Sequence, residues 1–145
     1  DRPLILLFLL RGALGSAHSI ATRGGVSLLT AVFAWLKVNL LCFAAFLQFP
    51  RAQRIFVTDE DLCADPAGTV NRILSLLGVD PGTELEDGPL HNLGGSPTRH
   101  DFDRREVVED VRWKNELQWY QKLWIRCLTV PVETAIRRFG RVLAL

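Results

Sequence analysis

At 145 residues, with 48% apolar and 23% charged side chains, the chain has the size and composition of one folded domain, which excludes a disordered segment. A net charge of +1 excludes long-range attraction to nucleic acid, so any anion site must be a local cluster of cations. The three cysteines, Cys42, Cys63 and Cys127, lack CxxC or Cys/His spacing and are expected to be small buried hydrophobes, not a disulfide or metal ligands.

In chain order, the unbroken apolar run 4–10 predicts a strand covered on both faces in a parallel sheet. It has neither the length nor the cleavage site of a signal peptide, and its strand partners are expected upstream of Asp1. Arg11-Gly12-Ala13-Leu14-Gly15-Ser16 breaks the run, and a short helix is expected to follow. The segment 26–49 is too long for one strand and predicts a buried helix. A transmembrane span is the competing reading, opposed by Lys37 and Asn39 near its middle, where a charge costs about 2.5–3.5 kcal/mol.

Residues 54–58 predict a second strand. Asp65 is placed to cap the next helix, with Pro66 at its first position, Val70, Ile73, Leu74 and Leu77 on one face, and Gly78 in the left-handed terminal position. Gly and Pro between 80 and 97 predict a loop. A helix over 107–128 would carry Trp113, Leu117, Tyr120, Trp124 and Leu128 as a core stripe. Pro131 is expected to open a final helix, with Glu133 in its first turn and Gly140 at its end. The order is α/β, with a parallel sheet flanked by helices.

In α/β proteins, phosphate binds at strand-to-helix turns, where backbone N–H groups are free and the helix dipole adds positive charge. The turn after the first strand carries Arg11, and Ser19 follows eight positions on; a planar guanidinium fork and a hydroxyl donor suit phosphate oxygens. Gly94 and Gly95 let a backbone approach an anion closely, and Arg99 can close over it. The plain alternatives stay open at this stage. Arg11 reads equally as a solvated or structural cation, Glu60 and Asp61 as acids capping a helix start, and 91–99 as a surface loop.

Three segments resemble the sulfotransferases that use 3′-phosphoadenosine 5′-phosphosulfate (PAPS). In that family a strand ends in Arg-Asp-Pro-Arg with a Ser eight residues after the first Arg; here Arg11 and Ser19 match, and Gly12-Ala13-Leu14 replace Asp-Pro-Arg. The family's Arg-Tyr-Glu-Asp-Leu, two variable residues and Asp-Pro is matched by Glu60, Asp61, Leu62, Asp65 and Pro66, with Thr58 and Asp59 replacing Arg and Tyr. One branch carries His-x-x-Gly-Gly-Asn-x-x-Arg followed by a helix with Asp and Trp. It is similar to His91, Gly94, Gly95, Ser96 and Arg99, then Asp110 and Trp113; Trp35 and Asn39 also resemble that branch.

The resemblance implies a partial P-loop-type three-layer fold, with 1–145 as the C-terminal part of one sulfotransferase domain whose N-terminal nucleotide-loop unit is absent. It implies transfer of a sulfuryl group from PAPS to a hydroxyl or amine of a small-molecule or glycan acceptor, without a metal. Arg11, Ser19, Gly94, Gly95 and Arg99 would hold the donor's 3′-phosphate. Neither a GxxxxGK(S/T) nor a GxGxxG motif occurs, and neither His18 nor His100 is assigned as a general base. A non-catalytic nucleotide-binding relative is the alternative. The 145 residues alone are expected to be inactive and poorly soluble, because hydrophobic sheet edges would be bare. Compartment, acceptor and oligomeric state stay open.

Overall fold

The computed structural model describes residues 4–80 and 111–143. Two strands, β1 (Leu6–Leu10) and β2 (Arg54–Thr58), pair in parallel with Leu6 opposite Arg54 and Leu10 opposite Thr58. Between them run α1 (Ala13–Gly24), α2 (Leu28–Gln48) and a single 3₁₀ turn, Arg51–Gln53. After β2 come α3 (Asp59–Ala64), α4 (Pro66–Leu76), α5 (Trp113–Glu116) and α6 (Trp119–Leu143). The α/β expectation therefore holds as a largely helical chain around a small parallel sheet.

The strand side chains alternate. Phe8 and Leu10 of β1, with Phe56 of β2, pack against Trp35 and Phe46 of α2 and Ile136 of α6. The Phe8 and Phe56 rings meet edge to face at 5.7 Å, a geometry favoured by the ring quadrupoles. All five residues of β2 are buried. β1 departs from the expected two-sided cover: Leu7 and Leu9 are 48% and 46% exposed. An apolar run without alternation carries no record of which face has a neighbour.

α2 forms where expected, capped by Ser27, whose hydroxyl accepts from Thr30 N at 3.1 Å. It is covered on one side only. Ala31, Val32, Trp35 and Phe46 are buried, whereas Leu29, Phe33, Leu40, Leu41 and Leu47 are exposed. The helix is long and apolar enough to cross a bilayer by length and composition. The cysteines also correct the expectation: Cys42 and Cys127 are exposed, and Cys63 is half-buried.

α4 follows its local signals closely. Asp65 Oδ1 accepts from Gly68 N at 2.9 Å, and Pro66 occupies the first turn. At the other end Gly78 takes φ +69°, a conformation costly for residues with a Cβ. Val79 N then reaches Leu74 O at 2.9 Å, and Gly78 N reaches Ser75 O at 3.1 Å, closing a Schellman motif. Val70 and Leu77 of its apolar face remain exposed.

The C-terminal region differs most from expectation. The helix interruption falls at Leu117, whose extended backbone separates α5 from α6, and not at Pro131. α6 runs unbroken through Pro131 and past Gly140. An interior proline costs about 3 kcal/mol. Here it lies on the exposed side, while Ile125 and Thr129 before it and Ile136 after it are buried, and that packing offsets the lost bond. Gly140 does not end the helix; a Cβ there would lie 2.7 Å from the Phe56 ring, so glycine allows α6 to approach β2. Of the expected stripe, Leu117 is buried and Trp113 and Trp124 half-buried, but Tyr120 and Leu128 face outward.

Candidate functional site

The parallel register brings the ends of β1 and β2 level, so the next residues, Arg11 and Asp59, stand side by side. Arg11 Nε lies 3.4 Å from Asp59 Oδ2. The turn leading into α1 is tied to α2 by Trp35, whose indole N–H donates to Arg11 O at 3.1 Å. Asn39, one turn along, donates from Nδ2 to Trp35 O at 2.8 Å, which fixes its amide.

A cavity of about 290 Å³ opens between β1, α1 and α2. Leu9, Trp35 and Val38 supply apolar wall, and Arg11, Ser16, Ser19 and Asn39 supply polar groups. Ser16 and Ser19 are half-buried and one turn apart on α1. Among the described lining residues there is one cation and no carboxylate. Hydroxyl, amide and guanidinium N–H groups around a cation make a donor set that matches the oxygens of a phosphate or sulfate. Arg11 and Ser19 thus border the same cavity, joined by the pair Trp35 and Asn39 that the sequence had singled out.

Arg11 also borders a second cavity, again of about 290 Å³, built differently. Arg137 Nη2 donates to Glu60 Oε1 at 2.9 Å and to Glu133 Oε1 at 2.8 Å. Glu133 Oε2 accepts from Ala13 N at 3.3 Å, so a carboxylate already serves the first turn of α1. This departs from the expectation that the turn presents free N–H groups. Burial by itself would raise the Glu60 carboxyl, but hydrogen bonds, the one from Arg137 foremost, and the attraction of that cation hold it below its ordinary value. Burial alone would lower Arg137; the bonds to Glu60 and Glu133 outweigh it and raise the guanidinium.

Asp61 is held low chiefly by hydrogen bonding with Thr58, against the opposing effect of burial, with Arg141, Arg72 and Arg137 adding attraction. Thr58 Oγ1 in turn accepts from Asp61 N at 3.1 Å, so Asp61 belongs to the cap of α3. Glu60 does more than mark a helix start: it joins α3 to α6 through Arg137.

His18 is buried, with Nε2 2.9 Å from Glu116 Oε2, and links α1 to α5. That contact gives it a packing role. Gly94, Gly95, Arg99 and His100 lie outside the described residues, as does Asp110. Trp113 borders the second cavity. Sequence reasoning missed Glu133 and Arg137 as site neighbours. Their i, i+4 spacing was the available signal, but it does not show that Ala13 and Glu60 would be their distant partners. Among the described residues no group of three His, Cys, Asp or Glu side chains is placed to hold a metal ion.

Comparison with known proteins finds no matching family model, no matching curated protein and no matching solved structure.

Proposed function

We propose that this protein transfers a sulfuryl group from PAPS to a hydroxyl or amine of a small-molecule or glycan acceptor, and that this chain supplies the cavity for the donor's 3′-phosphate. One observation carries the reading: Arg11 and Ser19, eight positions apart, line a single cavity with Ser16 and Asn39 and with no described carboxylate. The motif resemblance of 11–19, 58–66 and 91–99 supplies the reaction class. In this reading the Arg11 fork and the Ser19 hydroxyl hold the phosphate at the far end of the donor. Their contribution is alignment: a fixed distal phosphate orients the sulfate toward the acceptor and lowers the entropic part of the barrier. Gly94, Gly95 and Arg99 would complete the phosphate contacts.

The test compares 3′-phosphoadenosine 5′-phosphate with adenosine 5′-phosphate by isothermal titration. They differ only in the 3′-phosphate. Hydrogen bonds to charged groups contribute about 1.5–3 kcal/mol, so the first nucleotide should bind roughly tenfold or more tightly. Equal affinities would sink the proposal. Tight binding with no sulfated product from any acceptor class would mark a non-catalytic relative.

A second reading, membrane association, is favoured by α2. Of the most apolar 18-residue stretch of Leu28–Gln48, 17% is buried. Recovery of the protein from the soluble fraction without detergent would eliminate it.

A further inference from the structure

Charge is distributed unevenly along the chain. Between residues 2 and 58 no Asp or Glu occurs, whereas Arg11, Arg23, Lys37, Arg51 and Arg54 all lie there. Arg11 pairs with Asp59, and Arg54 is buried against the Phe46 ring. Arg23, Lys37 and Arg51 are exposed. They stand before, within and after α2: Arg23 in the last turn of α1, Lys37 in mid-helix, and Arg51 at the start of the 3₁₀ turn that follows.

Beside these cations α2 offers apolar surface. Leu29, Phe33, Leu40 and Leu47 recur at helical spacing on one exposed stripe, and the exposure extends around the helix to Val38 and Leu41. That is wider than the single seam a partner helix fills. On the covered side Ala31 and Val32 cluster with Ala17 and Ile125, and Phe46 with Phe8 and Phe56. The helix is therefore held to the rest of the fold near both ends, over about 22 Å of its length. If it crossed a bilayer it would carry the sheet and the Arg11–Asp59 and Arg137–Glu133 pairs into hydrocarbon, where charged groups are strongly disfavoured.

We propose that α2 docks in the plane of an anionic phospholipid surface, its exposed stripe at the acyl boundary and Arg23, Lys37 and Arg51 at the lipid phosphates. The inference rests on the membrane-association reading of α2 and is independent of the anion cavity. Long cationic side chains reach headgroup level while their stems lie along apolar surface. The lack of carboxylates in this segment leaves its cations free of local acidic neighbours in sequence that an anionic leaflet would repel.

The experiment sediments the full chain, diluted from detergent, with vesicles of phosphatidylcholine alone and of phosphatidylcholine mixed with phosphatidylserine. A cation near an anionic surface contributes roughly fivefold in partitioning. Lys37→Gln and Arg23→Gln should each weaken binding to the anionic vesicles by about that factor and leave neutral-vesicle binding unchanged. Leu40→Ser should weaken binding to both. Arg72→Gln, an exposed cation of α4, should change neither; a loss equal to that of Lys37→Gln would reduce the effect to net charge and overturn the assigned face. Equal binding of the wild type to both vesicles overturns the role of the cations while membrane association stands, and binding to neither overturns both. Spin labels at Leu29→Cys, Leu40→Cys and Leu47→Cys, with Cys42, Cys63 and Cys127 replaced by serine, should report one shallow depth. A label at position 40 far deeper than the other two marks a span and overturns the in-plane placement.

Discussion

The two cavities that share Arg11 are alike in size and opposite in electrostatic design. On the α2 side, hydroxyl and amide groups surround a cation with no described acid among them. On the α6 side, Arg137 is held between Glu60 and Glu133, and the start of α1 is served by a carboxylate of the chain itself. The contrast teaches that arginine content alone does not locate an anion site. What differs is the number of carboxylates on the guanidinium and whether they line the same cavity: Arg137 bonds two, and Asp59, which pairs with Arg11, is not among the residues of the α2-side cavity. The α6 cluster behaves as a clamp joining α1, α3 and α6, whereas the described lining on the α2 side holds hydroxyl and amide groups and no carboxylate.

Removing the clamp's centre should have the largest effect. Arg137→Met leaves two partly buried carboxylates facing each other, and loss of one partner of a buried pair costs about 3–5 kcal/mol. With Arg137 at 25% exposure and Glu60 at 47%, solvent screening brings the expected loss to about 2–3 kcal/mol in urea unfolding. A change below 0.5 kcal/mol would mean the cluster is not structural. Ser19→Ala sharpens the comparison from the other side. It should leave urea stability within about 0.5 kcal/mol, as for other substitutions of this kind. Affinity for 3′-phosphoadenosine 5′-phosphate should fall roughly tenfold for one charge-assisted bond.

Next in size is the α4 cap. Asp65→Ala removes the carboxylate that accepts from Gly68 N and should cost about 1 kcal/mol of stability. Nucleotide affinity should not change, because Asp65 lines neither cavity beside Arg11. The smallest effect concerns pH. Glu60 has a folded-state pKa below its ordinary value of 4.5, so the native state binds fewer protons than the unfolded chain in that range. Its stabilising contribution is present above about pH 4.5 and is lost as pH falls through the lowered value. Unfolding midpoints measured from pH 6 down to about pH 3 should fall less steeply in Glu60→Gln than in the wild type. Identical slopes would remove Glu60 from the clamp.

Features decided within a few residues were legible in the sequence. Both strands lie where the apolar runs put them, and α4 starts at Asp65-Pro66 and closes at Gly78 because cap, proline and glycine act on their own backbone. The spacing of Arg11 and Ser19 was legible too, since a strand end followed by a helix sets both side chains near one turn. Pro131 and Gly140 misled for the complementary reason. Each is a genuine local breaking signal, and each was overridden by the burial of Ile125, Thr129 and Ile136 and by the approach of Gly140 to Phe56.

What the sequence by itself determined was the set of elements with self-contained end signals, and the residues those elements place at the end of β1. Tertiary structure alone decided that Glu133 would reach Ala13 across 120 positions and Arg137 would reach Glu60 across 77. It alone decided that Leu7, Leu9 and much of α2 would have one uncovered face. The physical reason is range. Capping and chain stiffness act over about one helical turn, whereas burial and charge pairing depend on which distant element arrives opposite.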